Sequence, residues 1–398
     1  MPGTLEGVRV VDLTTVIMGP WAAQMMGDMG ADVIKVEAHA GDISRGMGPG
    51  RHKGMAACYL TTNRNKRSIV LDITQDAGMA ALRRLIDTAD VFMHNFRPKV
   101  MNKFNLGYEI FKETNPNLIY CGAYGFRSGG PRADKAAYDD VIQSGAGICE
   151  LLSGIAGAPR YVPTLIADKT GSYAVFGAIM AALVHRERGG GGQAVEVPMF
   201  ETMVDFVMVE HLYGATFDPP IAKMGYERIT NLARRPYPTK DGFVTALPYT
   251  DRNWRDFFTI AGRDDLREDP RFKTQAGRLA NSNEVYALLG EIIATRTTAE
   301  WVADMDKCGI PVMVNARKED LLEDEQLLAT GFWHSVEHPT EGTLRFTDPP
   351  FRYSKTPSTI RDMPPALGQQ SREILAEAGY AEAEIDELVA ANVTVAGA

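Results

Sequence analysis

The sequence predicts a doubly wound α/β protein, with a mostly parallel, Rossmann-like sheet in a large domain followed by a smaller α/β domain. Three observations carry that expectation. Residues 8–13 (VRVVDL) and 32–37 (DVIKVE) are short apolar runs on either side of a stretch of helical character. Together they make a strand–helix–strand unit of about 30 residues, the length a parallel crossover needs. The alternation then continues through residues 66–124, and after the prolines at 219, 220, 236 and 238 a second, shorter α/β pattern begins.

In the first unit a Gly19-Pro20 turn leads into a short helix over 21–29. The turn sequence TTVIMGPW has no GxGxxG pattern, so a dinucleotide site of the usual type is not expected. Residues 38–65, rich in glycine and polar side chains, read as a long loop, and loops of that length inside a compact domain are usually functional or mobile. Strands follow at 66–73, 90–94 and 118–124, with an amphipathic helix over 74–88 carrying Met79, Leu82, Leu85 and Ile86 inward. Ligands of such sheets bind beyond the carboxyl ends of the strands, which points to 14–19, 95–99 and 124–130.

Thr164-Leu165-Ile166-Ala167 then delivers Asp168 to a helix over 169–188. That helix is apolar on nearly every face (Ala174, Val175, Phe176, Ile179, Met180, Leu183, Val184), the pattern of a buried helix. It ends in His185, Arg186, Arg188 and four glycines, as helix C-termini favour. On position alone Asp168 is an N-cap. A strand at 195–198 and a helix over 200–213 complete a large domain, 1–213, and 214–240 reads as a linker. The small domain spans 241–325, with a strand at 242–246, helices at 252–261, 282–294 and 298–308, and a strand at 309–314. Residues 326–398 read as a linker and a return to the large domain, irregular and proline-rich beyond 331 with a short helix at 371–378.

Composition narrows the function. No apolar run among the 398 residues approaches the ~20 of a membrane span, and MPGTLEGVRVVDL has neither a basic nor an apolar leader region. Cys58, Cys121, Cys149 and Cys308 stand singly, which fits reduced thiols and a cytoplasmic location. A net charge of -9 disfavours nucleic acid as a partner. HExxH, P-loop and GxSxG motifs are absent and the 7 histidines lack ligand spacing, so no metal is expected. Arg64, Lys66 and Arg67 precede one strand; Arg97, Lys99 and Lys103 follow the next. Any one of them reads as part of a solvated face. The second set lies at the ligand edge, where it can hold phosphates with Phe96 offering an aromatic face.

GVRVVDLTTVIMGPWAAQMMGDMGADVIKVE, NKRSIVLDI, ADVFMHNFRP, LGYE, NPNLIYCGAYGF, GPRADKAAYDDVIQSGAG, the Asp168 segment and GGGGQAVEVPMFE, in that order, resemble successive signatures of the class III CoA-transferases. The formyl-CoA and carnitinyl-CoA transferases are the best-known members. The resemblance runs from Leu5 to Glu201, then more weakly through CGIPVMVNARKEDLLEDEQL and PPFRYSKTPSTIRDMPPALGQQSREIL. It implies a nucleophilic aspartate at Asp168. It implies CoA contacts at Ile17 and Met18, Leu71 and Thr74, Asn95 and Phe96, a basic phosphate partner at Arg97 or Lys103, and a further contact at Lys135. It also implies an intertwined homodimer, with an acyl-CoA and a carboxylic acid as partners and coenzyme A as carrier rather than cofactor. Two departures stand out. Ala38 replaces a basic residue that some members carry, and residues 225–245 lack the glycine-rich loop of formyl-CoA transferases.

A carboxylate suits this chemistry. It attacks an acyl-CoA thioester to give a mixed anhydride, takes CoA onto itself as a thioester, and yields CoA to the acceptor acid. Backbone N–H groups can stabilise the oxyanions. The rival within the superfamily is an acyl-CoA racemase or epimerase, whose family histidine corresponds to Tyr138. A phenol of pKa near ~10 is a poor proton shuttle beside an imidazole near ~6.5, which favours transfer. A nicotinamide oxidoreductase, resting on the strand pattern alone, lacks its glycine fingerprint. A non-catalytic CoA-binding protein would form no acyl-enzyme at Asp168.

Overall fold

The computed structural model describes residues 2–397. The chain divides into two compact units. One comprises residues up to 149, 160–207 and from 331 onward; the other comprises 150–159 and 208–330.

In the first part of the chain β1 (Arg9–Leu13), α1 (Met18–Asp28), β2 (Asp32–Glu37), α2 (Ala57–Thr62), β3 (Lys66–Val70), α3 (Asp76–Asp87) and β4 (Val91–His94) follow one another. They continue with α4 (Pro98–Lys103), α5 (Tyr108–Thr114), β5 (Ile119–Tyr124), α6 (Asp139–Gly145), α7 (Ile148–Ala156), α8 (Ile166–His185), β6 (Gln193–Pro198) and α9 (Met199–His211). The strands form one parallel sheet in the order β3-β2-β1-β4-β5-β6. Such strands are buried on both faces, which is why they read as continuous apolar runs. On one face Val11, Ile34, Ile69 and Phe92 pack with Leu82, Leu85 and Ile86 of α3 and Phe111 of α5. The other face carries α1 and α8, which approach closely because a Cβ at Gly171 would lie 2.9 Å from Met18 Cε.

Several local expectations change. Gly19-Pro20 is not a turn: both residues sit in the first turn of α1, where a proline's missing N–H costs nothing. The turn is made instead by Val16, held at φ 74°. The stretch 38–65 is not a free loop. It contains a short 3-10 turn at Ile43–Gly46 and α2, and is fastened by buried charges. Arg45 donates to Glu37 Oε2 at 2.7 Å, and Lys35 to Asp42 Oδ2 at 2.8 Å. Arg64 and Lys66 are likewise interior, Arg64 paired with Asp28 and Lys66 with Asp12.

The helix α8 is not buried all round in the single chain. Tyr173, Gly177, Ala181 and Val184 form an exposed stripe at helical spacing, with Tyr173 at 42% and Val184 at 50%.

In the second unit α10 (Glu227–Thr230), β7 (Tyr237–Pro238), β8 (Phe243–Ala246), α11 (Asp251–Ile260), α12 (Gln275–Ala280), α13 (Ser282–Ile293), α14 (Thr298–Lys307), β9 (Val312–Val314) and α15 (Glu325–Ala329) succeed one another. Its three strands are antiparallel, in the order β7-β8-β9, over a core of Trp254, Phe257, Phe258, Trp301 and Met305. Thr250 with Asn253, and Thr297 with Glu300, close capping boxes at the starts of α11 and α14.

Beyond residue 331 the expected irregular chain contains an antiparallel hairpin, β10 (Trp333–His338) and β11 (Gly342–Thr347). Helices α16 (Ser371–Glu377) and α17 (Glu382–Ala390) then complete the first unit, their Ile374, Leu375, Ile385 and Leu388 joining the sheet's core.

Candidate active site

The strand order reverses between β1 and β4, and in such sheets that reversal opens a crevice at the carboxyl edge. A cavity of about 280 Å³ lies there, lined by Thr15, Val16 and Met18 after β1, Asn95, Phe96 and Arg97 after β4, Ala123, Tyr124 and Gly125 at the end of β5, and residues 135–138 with Asp168 and Met199.

The walls are fixed by side chains from other elements. Asn95 grips Thr15 twice, accepting from its N–H at 3.1 Å and donating to its carbonyl at 2.8 Å. Asp42 accepts from Val16 N at 3.0 Å, and Lys35 donates to the Thr14 carbonyl at 3.0 Å. Asp12 accepts from Thr14 N at 2.9 Å. A β-branched residue at positive φ costs of order 1–3 kcal/mol, and this mesh of buried acceptors and donors holds it. Gly125 permits close approach on the far wall, since a Cβ there would lie 2.4 Å from that of Ala137.

Three long helices begin at the cavity: Met18 opens α1, Met199 opens α9, and Asp168 sits in the first turn of α8. Each brings the positive end of its dipole to that edge, although the first-turn N–H groups of α8 are already taken by Asp139 and by the Thr164 and Leu165 carbonyls. The side-chain cations on the wall are Arg97 and Lys135, both exposed.

Asp168 does not cap its helix. The cap position is Leu165, with no side-chain bond. The capping is done from a distance by Asp139, whose Oδ1 accepts from Ala167 N at 2.8 Å and Asp168 N at 3.0 Å. Gln143 in turn donates to Asp139 Oδ2 at 2.5 Å and accepts from Val162 N at 2.8 Å. Among the described residues no donor reaches the Asp168 carboxyl, which is 8% exposed. Burial, with the Asp139 carboxylate beside it, pushes that carboxyl up to about 7. Its place at a helix start works in the opposite direction and is the weaker effect.

Met18, Asn95, Phe96, Arg97, Lys135 and Asp168 thus share one cavity. Ile17, buried at the cap of α1, and Leu71, packed in the core under the sheet, are not on its wall. Thr74 is exposed and donates to Asp72 Oδ1 at 2.6 Å, and Lys103 is exposed with its Nζ 5.9 Å from the Phe104 ring centroid. Val16 lies in the expected segment 14–19 and Asp139 in the GPRADKAAYDDVIQSGAG signature, but neither stands out singly in the sequence, and Asp42 has no signal as a site residue. His94, just before Asn95, is buried among Phe92, Tyr120 and Tyr124, and burial pushes its imidazole down to about 3. A second cavity, about 310 Å³, lies in the second unit among Tyr226, Arg228, Tyr249, Trp254 and Tyr286 and holds none of the expected site residues. Among the described residues no cluster of His, Cys, Asp and Glu is placed to hold a metal ion, and no helix is long and apolar enough to cross a membrane.

Comparison with known proteins finds relatives along nearly the whole chain. The sequence model of CoA-transferase family III matches residues 5–371. The succinate–glutarate CoA-transferase of Agrobacterium fabrum is 33% identical over 94% of this chain and 95% of its own. The succinyl-CoA:glutarate CoA-transferase of Mus musculus is 31% identical over 98% of this chain and 90% of its own. Among solved structures, a CAIB/BAIF family protein from Brucella suis superposes with a TM-score of 0.81 at 30% identity, covering 95% of this chain and 100% of that one.

Proposed function

Because the chain belongs to CoA-transferase family III, we propose that Asp168 is the nucleophile of CoA transfer from an acyl-CoA to a carboxylic acid, through an aspartyl-CoA thioester. The observation that carries this reading is the state of the Asp168 carboxyl: it is the acidic side chain on the cavity wall, nearly buried, and committed to no donor. A carboxylate bound to an arginine or capping a helix would be stabilised and sluggish. One desolvated to a pKa of about 7 is half ionised at neutral pH and more basic than an ordinary aspartate.

An Asp168 oxygen attacks the thioester carbonyl, the C–S bond breaks, and CoA thiolate leaves a mixed anhydride. The thiolate attacks the Asp168 side of that anhydride, releasing the donor carboxylate and leaving CoA on Asp168. The acceptor carboxylate attacks this thioester, expelling the thiolate again. The thiolate then attacks the acceptor's acyl carbon and frees Asp168. No redox group or metal enters these steps. The helix starts around Asp168 offer a positive field to the successive oxyanions and to a polyanion in an acidic protein. A volume near the low end of the ~300–1,000 Å³ range suits the reacting end of the ligand rather than all of CoA. The names of the relatives point to short dicarboxylic acids as substrates.

The test is to offer succinyl-CoA with a panel of mono- and dicarboxylates, identify products by mass, and quench a parallel sample for peptide mapping. Transfer with a CoA adduct on the Asp168 peptide is expected. Turnover with no adduct there, under conditions that trap it elsewhere, overturns the reading.

Arg97 donates to the Asp134 carbonyl at 2.9 Å and is otherwise free at the cavity rim. Arg97→Ala is expected to raise KM for acyl-CoA up to about ten-fold at low salt, less at high salt, because an exposed phosphate contact is screened. KM for the acceptor should change little. Equal effects on both would place CoA elsewhere.

The exposed stripe of α8 favours a second copy of the chain as its cover, since the same helix reads from sequence as wholly buried. Light scattering should give twice the 43.6 kDa chain mass at every dilution; a 43.6 kDa particle would overturn the dimer.

A further inference from the structure

We propose that Asp139 is the positioning residue of this site. Its carboxylate, steadied by Gln143, fixes the first turn of α8 from outside the helix, so that the neighbouring Asp168 carboxyl needs no hydrogen bond and stays turned to the cavity. The inference rests on the reading of Asp168 as nucleophile.

The geometry is specific. One oxygen of Asp139 takes both the Ala167 and the Asp168 N–H groups, and the other takes Gln143 Nε2. Asp139 is 4% exposed and Gln143 is 1% exposed, so neither interaction is diluted by water. Gln143 also accepts from Val162 N, and so ties the approach to α8 as well as its start. Had Asp168 served as its own cap, its oxygens would be occupied by backbone donors and its nucleophilicity reduced. Supplying the cap from α6 separates the structural task from the chemical one.

Asp139 also sets the charge that Asp168 feels. Of the elements packed on α8, α1 carries only Asp28, at its far end and paired with Arg64. From β6 comes Glu196, held by Tyr124 and Ser128, and from β5 come Tyr120, Cys121 and Tyr124. Past the end of α8, Arg186 is bonded to Asp90 and Glu187. On α8 itself Lys169 turns to Thr164, and on the cavity wall Arg97, Lys135 and Tyr138 make no bond to Asp168. Asp139 is therefore the close charge, and burial together with that charge raises the Asp168 carboxyl.

The test uses the full chain with succinyl-CoA and glutarate, or whichever acid the panel selects, from pH 5 to 9. Asp139→Asn keeps an acceptor oxygen for the two N–H groups but removes the charge. The acid limb of its kcat/KM profile should move to lower pH by half a unit or more. Its plateau kcat should fall roughly five- to twenty-fold, with both KM values changed less than about two-fold. Because the new amide also meets Gln143 Nε2 donor to donor, the double variant Asp139→Asn with Gln143→Glu serves as a second arm. It restores a donor–acceptor pair, keeps the acceptor for Val162 and returns a negative charge nearby, so the acid limb should move back toward the parent and the melting temperature should recover. A purely structural cap predicts altered melting with the acid limb unmoved in every variant, and that result overturns the proposal. Asp168→Asn, run in parallel, separates the two ideas: turnover surviving there removes the nucleophile reading itself and this inference with it.

Discussion

Asp168→Asn is expected to lose CoA transfer by at least about a thousand-fold and to melt higher than the parent protein at pH 8. The first half follows from covalent catalysis: an amide cannot open the thioester or carry CoA, and residues that act as the nucleophile leave only background when removed. The second half follows from the carboxyl's environment. Its pKa in the folded chain is about 7 against an ordinary 3.8. Between those values the folded chain holds a proton that the unfolded chain has released, so stability falls as pH rises through that window and is flat above it. A shift of that size has a ceiling on the order of 4 kcal/mol, and an uncharged asparagine beside the Asp139 carboxylate escapes it. The gain should be present at pH 8 and vanish below about pH 4, where the parent carboxyl is protonated in both states. No cap is lost, because the cap is Asp139. Thermal melts at the two pH values check the sign. A variant less stable at both would show that Asp168 holds structure, and one that keeps more than a small share of its turnover would remove it from the chemistry.

The parts of the molecule that were legible in the sequence are those whose signal is local. The parallel sheet is written in apolar runs such as VRVVDL and DVIKVE, and the ligand edge follows from their order. What was not legible depends on partners distant in sequence. Lys66 reads as a surface cation beside Arg64 and Arg67, yet it pairs with Asp12, 54 residues away. Asp139 lies 29 residues from the N–H of Asp168 that it caps, whereas capping rules inspect the residue just before a helix, here Leu165. Val16 gives no hint of a left-handed turn, since a β-branched residue is among the last expected there. The hairpin of β10 and β11 hides because its outward positions are polar and the prolines in its turn, Pro339, and just after it, Pro349 and Pro350, dominate the reading. Helix α8 reads as buried on all sides because its residues are apolar nearly throughout, although its own chain leaves the stripe of Tyr173, Gly177, Ala181 and Val184 exposed.

Lys66→Met is expected to cost about 3–5 kcal/mol of stability and to lower activity, although Lys66 lies outside the cavity. Its ammonium is fully buried and bonds Asp12 Oδ2 at 3.0 Å, Asn63 Oδ1 at 2.8 Å and the Pro20 carbonyl at 2.8 Å. Methionine preserves the apolar stem and much of the volume, so the loss measures charge and hydrogen bonds rather than a cavity. It strands the Asp12 carboxylate in the interior, with Thr14 as donor and Lys35 as the remaining nearby cation. An unpaired buried charge is the costly half of a broken pair, whereas removing both charges leaves far less to desolvate. Adding Asp12→Asn to Lys66→Met should therefore recover roughly half or more of the loss, a coupling that a double-mutant cycle of denaturation midpoints reads directly. The activity effect has a route on the same atoms. Asp12 Oδ1 fixes Thr14 N, and Pro20 lies in the first turn of α1, so freeing either loosens the strained Thr14–Val16 wall of the cavity. If the two single changes instead prove additive, the Asp12–Lys66 pair is not coupled and the wall is held by Asn95, Asp42 and Lys35 without it.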